Sequence, residues 1–403
     1  MKITAVRTHL VHCPIPEEHR VRSGAGYKLA RQAAFVEIET DEGIAGYGPC
    51  SFGSVSLDLA SVAALIERTY APALVGQDPA RIEHHWDRIY YGAITRTHGP
   101  RGVGVAMLSA IDIALWDLKG KALGVPVYEL LGGAARDPQP LYVSSVYWAP
   151  PEQAAAQARA FVDDGFKAFK VKVGLDLAND IDSLHAIRDE VGYEVDMLVD
   201  ANQCYTRHLA LQVGRELEKL RVLFFEEPLP TDDVEGHRFL AEKLDVRIAT
   251  GENMYTRWDF MPFLSAGAVH VVQADASRCG GISEAAKIAD VSGAFHAHFV
   301  PHTFSDALTV VANLHVVAAR ANAPIMEYDR TWNPLQTELV TNPPALRDSA
   351  AELPAGPGLG VDIDWDFVAD HPWVDEIGIG LAARPAFGLA SETLPDRTAT
   401  SLT

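Results

Sequence analysis

Four short runs, AFKVKV (residues 168–173), VDMLVD (195–200), VLFFE (222–226) and VRIATGE (246–252), are mostly apolar, and each carries an ionisable side chain at or near its end. Helix-length stretches separate them, so they read as βα units, whose parallel strands are covered on both faces. The pattern extends upstream to LYVSSV (141–146) and downstream to VHVVQAD (269–275), HAHFVPH (296–302) and PIMEYD (324–329). Eight such strands predict an α/β fold, a (β/α)8-type barrel.

Ahead of Gly132-Gly133 the pattern differs. Strands over 3–11 and 34–48, turning at Asp41-Glu42-Gly43, predict an antiparallel hairpin. Helical patterns follow near 57–70, 80–91 and 103–121, the last with Met107, Ile111, Ala114, Leu115 and Leu118 on one apolar face. The polar segment Pro16 to Tyr27 is too long for a tight turn and has the character of a functional loop. The expected organisation is an α+β capping domain over 1–125 and a barrel over 126–350. A C-terminal segment, 351–403, returns to the cap through Val361–Phe367 and ends in a frayed tail.

The 403 residues carry a net charge of −20, and no basic stripe is present to release counterions from a phosphate backbone, which disfavours nucleic-acid partners. Cys13, Cys50, Cys204 and Cys279 lie far apart with no CxxC pair, against a disulfide framework or a thiolate zinc site. No run approaches the roughly 18 apolar residues that span a bilayer. The expectation is a small-molecule enzyme of a reducing cytoplasm.

Lys172, Asp200, Glu226, Glu252, Asp275, His302 and Glu327 follow one another at separations of 28, 26, 26, 23, 27 and 25 residues. In a parallel barrel the C-terminal strand ends converge on one rim, so this regularity gathers seven ionisable groups around one mouth. Asp200, Glu226 and Glu252 present carboxylate oxygens side by side, a set suited to a hard divalent cation, with Mg2+ favoured over zinc. Taken alone, Glu226-Glu227-Pro228 also reads as a solvated acidic corner. Ten lysines occur in the chain, yet Lys170 and Lys172 stand two apart on one strand and share a face. Facing inward, Lys172 is a candidate base whose pKa a neighbouring ammonium and a bound cation would lower; facing outward, both lysines snorkel. Asp275 and His302 end adjacent strands, and a carboxylate beside an imidazole fixes its tautomer, giving a second acid/base opposite Lys172. Three carboxylates against two lysines and a divalent ion leave about +1, enough for an anionic substrate.

These residues resemble the enolase superfamily and, within it, the mandelate racemase subgroup. The motifs are Lys170-Val171-Lys172, Asp200-Ala201-Asn202, Glu226-Glu227-Pro228, Gly251-Glu252-Asn253, Asp275 followed by Gly280-Gly281, His302, Glu327 and the helix Ser109–Asp117. The resemblance implies Asp200, Glu226 and Glu252 as Mg2+ ligands, Lys170, Lys172 and the His302–Asp275 dyad at the chemistry, and Glu327 as a hydrogen-bond donor to the substrate carboxylate. The muconate-lactonising subgroup would carry a lysine near the end of the sixth strand, and Asp275 to Cys279 contains none. Glu327 to Pro334 is similar to the corresponding segment of galactarolactone cycloisomerases and related sugar-acid enzymes. The activity implied is abstraction of the proton α to a carboxylate to form an enediolate, in an acid-sugar dehydratase or sugar-acid lactone cycloisomerase. The alternatives are a hydroxy-acid racemase or epimerase and a non-catalytic sugar-acid binding protein. Homo-oligomers, dimers or octamers, are implied as well. Substrate-contact candidates in the capping loops Glu17–Tyr27 and Cys50–Gly53 are Glu18, His19, Arg20 and Tyr27.

Overall fold

Alternating side chains give the cap a sheet with two buried faces. In the computed structural model, which describes residues 1–23, 26–51, 58–374 and 379–380, Ile3–Pro14 pairs antiparallel with Ala30–Thr40, and Ala30–Thr40 with Ala45–Pro49. Ala34, Val36 and Ile38 pack with the cap helices, whereas Ala33 and Phe35 join the cluster that continues into the barrel. Close packing of the helix Val103–Leu123 is possible because Gly48 lacks a side chain: a Cβ there would lie 2.0 Å from the Ala110 carbonyl oxygen. Sequence pattern gave this helix one apolar face, yet it is buried nearly all round. It is held between the cap sheet and the barrel helix Gly281–Ala294, so its second face, with Ser109 and Asp112, is covered as well.

The eight predicted barrel strands are Gln139–Val146, Ala168–Lys172, Asp196–Asp200, Phe224–Glu226, Arg247–Thr250, Val271–Val272, His298–Phe299 and Met326–Tyr328. The first seven pair in sequence order, each parallel to its neighbour, and the eighth pairs parallel with the first. Between the seventh and eighth, the Phe299 N–H donates to the Asn322 carbonyl at 3.0 Å. Tyr142, Ala168, Leu198, Phe224, Ala249, Val271 and Val300 fill the interior. Thus the barrel has a solid floor on which a site can sit.

Several strands are shorter than the sequence predicts, and Glu252, Asp275 and His302 lie two or three residues beyond the hydrogen-bonded ladder. There the backbone leaves the ladder for side-chain partners: Ala276 N–H donates to Asn313, Ser277 N–H to Asp275 and Thr303 N–H to Glu327. The described residues of the Pro16–Tyr27 segment carry local structure: a turn of 3-10 helix, Glu17–His19, and a pairing of Arg22 with Tyr27. Beyond the barrel, Trp365 packs edge-on to Tyr47 and the His12 N–H donates to His371. The tail predicted to fray, beyond 380, lies outside the described residues, as do Phe52 and Gly53 of the second capping loop. Among the described residues, no helix is long and apolar enough to cross a membrane.

Candidate active site

Strand alternation decides which way the paired lysines point. Phe169, Val171 and Val173 join the cluster between the strands and the outer helices, and Lys170 and Lys172 face the barrel interior. Lys170 is fully buried above Tyr142; its Nζ lies 2.8 Å from both Glu226 oxygens and 2.8 Å from Glu327 Oε1. Lys172 donates to Asp200. The chain's own groups around Lys172 do not lower its pKa as expected. Burial pulls the ammonium down, but the Asp200 carboxylate beside it more than compensates and holds it above its ordinary value.

Asp200, Glu226 and Glu252 come from three successive strands, and each offers an oxygen within 4.8 Å of the other two. Asp200 is oriented by the Asn202 N–H at 2.8 Å, and Glu226 by the Gln273 side-chain amide at 2.7 Å. Burial, followed by the negative charge of Asp200, pushes the Glu226 carboxyl up to about 8 despite Lys170. Glu227 turns away from this group and accepts from Asn253 at 2.9 Å and Gln203 at 3.2 Å. Three converging carboxylates without sulfur or imidazole among the donors fit a hard divalent cation, whose charge would relieve their mutual repulsion. Asp200, Glu226 and Glu252 are the residues that would hold it.

His302 Nδ1 lies 2.9 Å from Asp275 Oδ2, and its Nε2 is turned toward Glu252, 3.5 Å from Oε2. Asp275 Oδ1 accepts from the Ser277 N–H at 2.8 Å, the Ser277 hydroxyl at 2.7 Å and Asn313 at 3.0 Å. Burial alone would raise the Asp275 carboxyl, but the His302 hydrogen bond and charge hold it below the usual range. A carboxylate locked this way fixes which imidazole nitrogen faces the mouth. Lys172 on Asp200 and His302 on Glu252 therefore flank the carboxylate triad from two sides.

Glu327 differs from its implied role. A donor needs a proton, yet Lys170 holds the carboxyl well below its ordinary range against the effect of burial, and Thr303 N–H donates to Oε2 at 2.8 Å. In this arrangement Glu327 is an acceptor and Lys170 is the donor. Glu18, His19 and Arg20 line a cavity of about 620 Å³ with Tyr147, Arg330 and Trp332, where His19 stacks on Trp332. The side chain of Tyr27 lies outside the described residues.

Sequence reading missed Gln273 and Asn313. A signal existed for Gln273, which stands two residues before Asp275 and shares its inward face. Asn313 reaches Asp275 from the following helix, and no local pattern marks it.

A cap over a parallel barrel whose mouth places two bases around a carboxylate triad defines an enolase-type enzyme of carbon acids. The chain belongs to the mandelate racemase / muconate lactonizing enzyme family: residues 8–132 match its N-terminal domain, and 153–367 match the enolase C-terminal domain-like family. It is 38% identical to arabinonate dehydratase of Saccharolobus solfataricus over 81% of this chain and 87% of that protein. It is 34% identical to D-galactarolactone cycloisomerase of Agrobacterium fabrum over 93% of this chain and all of that protein. A mandelate racemase-like protein of Bordetella bronchiseptica RB50 superposes with a TM-score of 0.91 at 47% identity, covering 94% of this chain and 97% of the other. A racemase from Streptomyces coelicolor A3(2), solved with bound magnesium, superposes at 0.83 with 29% identity over 92% and 99% of the two chains.

Proposed function

We propose that the chain is a magnesium-dependent acid-sugar dehydratase or sugar-acid lactone cycloisomerase. The observation that carries this reading is the placement of Lys172 and His302 on two sides of the Asp200–Glu226–Glu252 triad. Bound Mg2+ would supply Lewis-acid charge at the substrate carboxylate. Lys170, buried beside Glu226, donates to both of its oxygens and so fixes the carboxylate that would hold the cation. Lys172 in its neutral form takes the proton α to the carboxylate; a cation held by Asp200 would favour that form by weakening the contact that keeps the ammonium charged. His302, held by Asp275, gives a proton to the departing β-hydroxyl, so that water leaves and the resulting enol becomes a 2-keto acid. Expulsion of a ring oxygen from a lactone follows the same course and gives cycloisomerisation. The names of the dehydratase and cycloisomerase relatives, each aligned over most of its length, support this choice over racemisation. A cytoplasmic setting accords with four buried free cysteines.

The test is a panel of aldonic and aldaric acids and their lactones, assayed for 2-keto product or ring opening with Mg2+, after EDTA, and after Mg2+ is restored. Turnover abolished by chelation and recovered with magnesium is expected. Activity indifferent to chelation overturns the reading, and deuterium entering the α-carbon without loss of water or ring oxygen replaces it with a racemase.

A further inference from the structure

The cations around the mouth are mostly accounted for. Lys170 is paired with Glu226 and Glu327, and Lys172 with Asp200. Arg31 donates to Asp329 at 2.9 Å, and Arg278 to the Glu252 carbonyl at 2.9 Å. Lys28 is different. Its ammonium sits 3.9 Å over the Phe304 ring, and among the described residues it makes no ion pair or side-chain hydrogen bond. Asp329 is the carboxylate nearest in effect, but its oxygens already serve Arg31, the Thr331 N–H and hydroxyl, and Asn333.

Lys28 lies at the mouth and not on the outer surface. Phe304 follows His302 by two residues, with ring centroids 6.3 Å apart, so the ammonium stands one ring beyond the imidazole. It is partly buried. Burial and the positive charges of Arg31, Lys172 and Arg278 disfavour its charged form, and Asp329 opposes them. Among the described residues, this partly desolvated ammonium in cationic surroundings, supported by one aromatic face, is paired with no anion. A cation held by the triad would receive the carboxylate next to the reacting carbon, and Lys28, close enough to Lys172 to feel its charge, borders the same mouth.

We propose that Lys28 docks a second carboxylate at the remote end of the substrate, so that the site prefers a dicarboxylic sugar acid to the corresponding monocarboxylic one. This inference rests on the acid-sugar reading above and adds the substrate class within it. Phe304 holds the ammonium in place, and a hydroxymethyl group at the same position would leave the charge unanswered. A charge-assisted hydrogen bond of this kind corresponds to about 10- to 100-fold in affinity.

The test compares galactarate and galactonate, six-carbon acids that differ in having a carboxylate or a hydroxymethyl at C6. Binding to the magnesium-loaded protein is measured by calorimetry, and turnover is followed where it occurs. The wild type should bind galactarate about 10- to 100-fold more tightly than galactonate. Lys28→Met should erase that ratio, and Lys28→Arg should retain most of it; equal melting temperatures and magnesium responses show that the variants are folded. A ratio that Lys28→Met does not move, equal binding of the two acids by the wild type, or binding of neither overturns the proposal. Lys28-dependent binding of galactarate by a protein that dehydrates or opens nothing in the panel would overturn the acid-sugar enzyme reading alone. Dehydration of aldonates with a ratio indifferent to Lys28 would overturn this inference alone.

Discussion

Lys172 can be a base only if its side chain is at the substrate, and its contact with Asp200 places it beside the metal-binding oxygens. Removing a general base costs about 10²–10⁴-fold in rate. Lys172→Met should therefore lower kcat by that factor while magnesium still raises the melting temperature; a variant that no longer responds to magnesium would make Lys172 a support for Asp200 instead. Gln273 makes the complementary case. Its amide donates to Glu226 at 2.7 Å and has no reach to a proton in flight. Gln273→Met should weaken Mg2+ binding about 10- to 100-fold, the usual effect of losing a partner behind a ligand, and direct metal titration reads it. The two residues also mark what sequence could reveal. Lys172 was legible because an ammonium on an apolar buried strand contradicts its surroundings, whereas a neutral amide such as Gln273 contradicts nothing and stays silent until its partner is seen.

At the scale of elements, the number, order and direction of the barrel strands were readable because parallel strands buried on both faces must be short and apolar, separated by helices. Their ends were not. Apolar character continues past the last ladder bond at 269–275 and 296–302, and the backbone leaves the ladder there to bond the nearby Asp275 carboxylate and Asn313 and Glu327, which lie far off in sequence. Gly280-Gly281 was visible as a motif, but its reason is tertiary. Gly281 has φ +89°, and a Cβ on it would stand 2.2 Å from Asp112 Oδ2 on the cap helix. The residue is thus required twice, by its backbone and by the helix packed against it. Gly281→Ala should cost about 1–3 kcal/mol, the price of a residue forced into that region. The check is a lowered unfolding midpoint in urea; an unchanged midpoint would mean that the helix start relaxes freely.

Across the whole molecule, cap and barrel are joined by buried polar contacts around that same helix start. Trp86 donates to the Gly280 carbonyl at 2.7 Å, and Trp116 to the Ser283 hydroxyl at 2.8 Å. Asp112 accepts from the Ser283 N–H at 2.9 Å and its hydroxyl at 2.6 Å. A one-face reading of the cap helix leaves Asp112 in solvent; the structure makes it the centre of the junction. Burial pushes its carboxyl up to about 7, with the Ser283 bonds opposing, then Lys287 opposing and Glu83 adding to the rise. Unfolded, the same group titrates near about 4. The folded protein therefore holds this proton over a range in which the unfolded chain has released it. The resulting stabilisation is complete below about 4 and is lost as pH rises toward 7, at up to about 1.4 kcal/mol per pH unit inside the window. Asp112→Asn cannot titrate and keeps an acceptor for Ser283. Relative to this variant, the wild type should lose stability between pH 5 and pH 7 and then run parallel above it, measured as the difference between their urea midpoints. Profiles parallel from pH 5 upward would show that Asp112 is ionised throughout, and that the cap and barrel are joined across a carboxylate stabilised by the start of the barrel helix instead of a protonated acid.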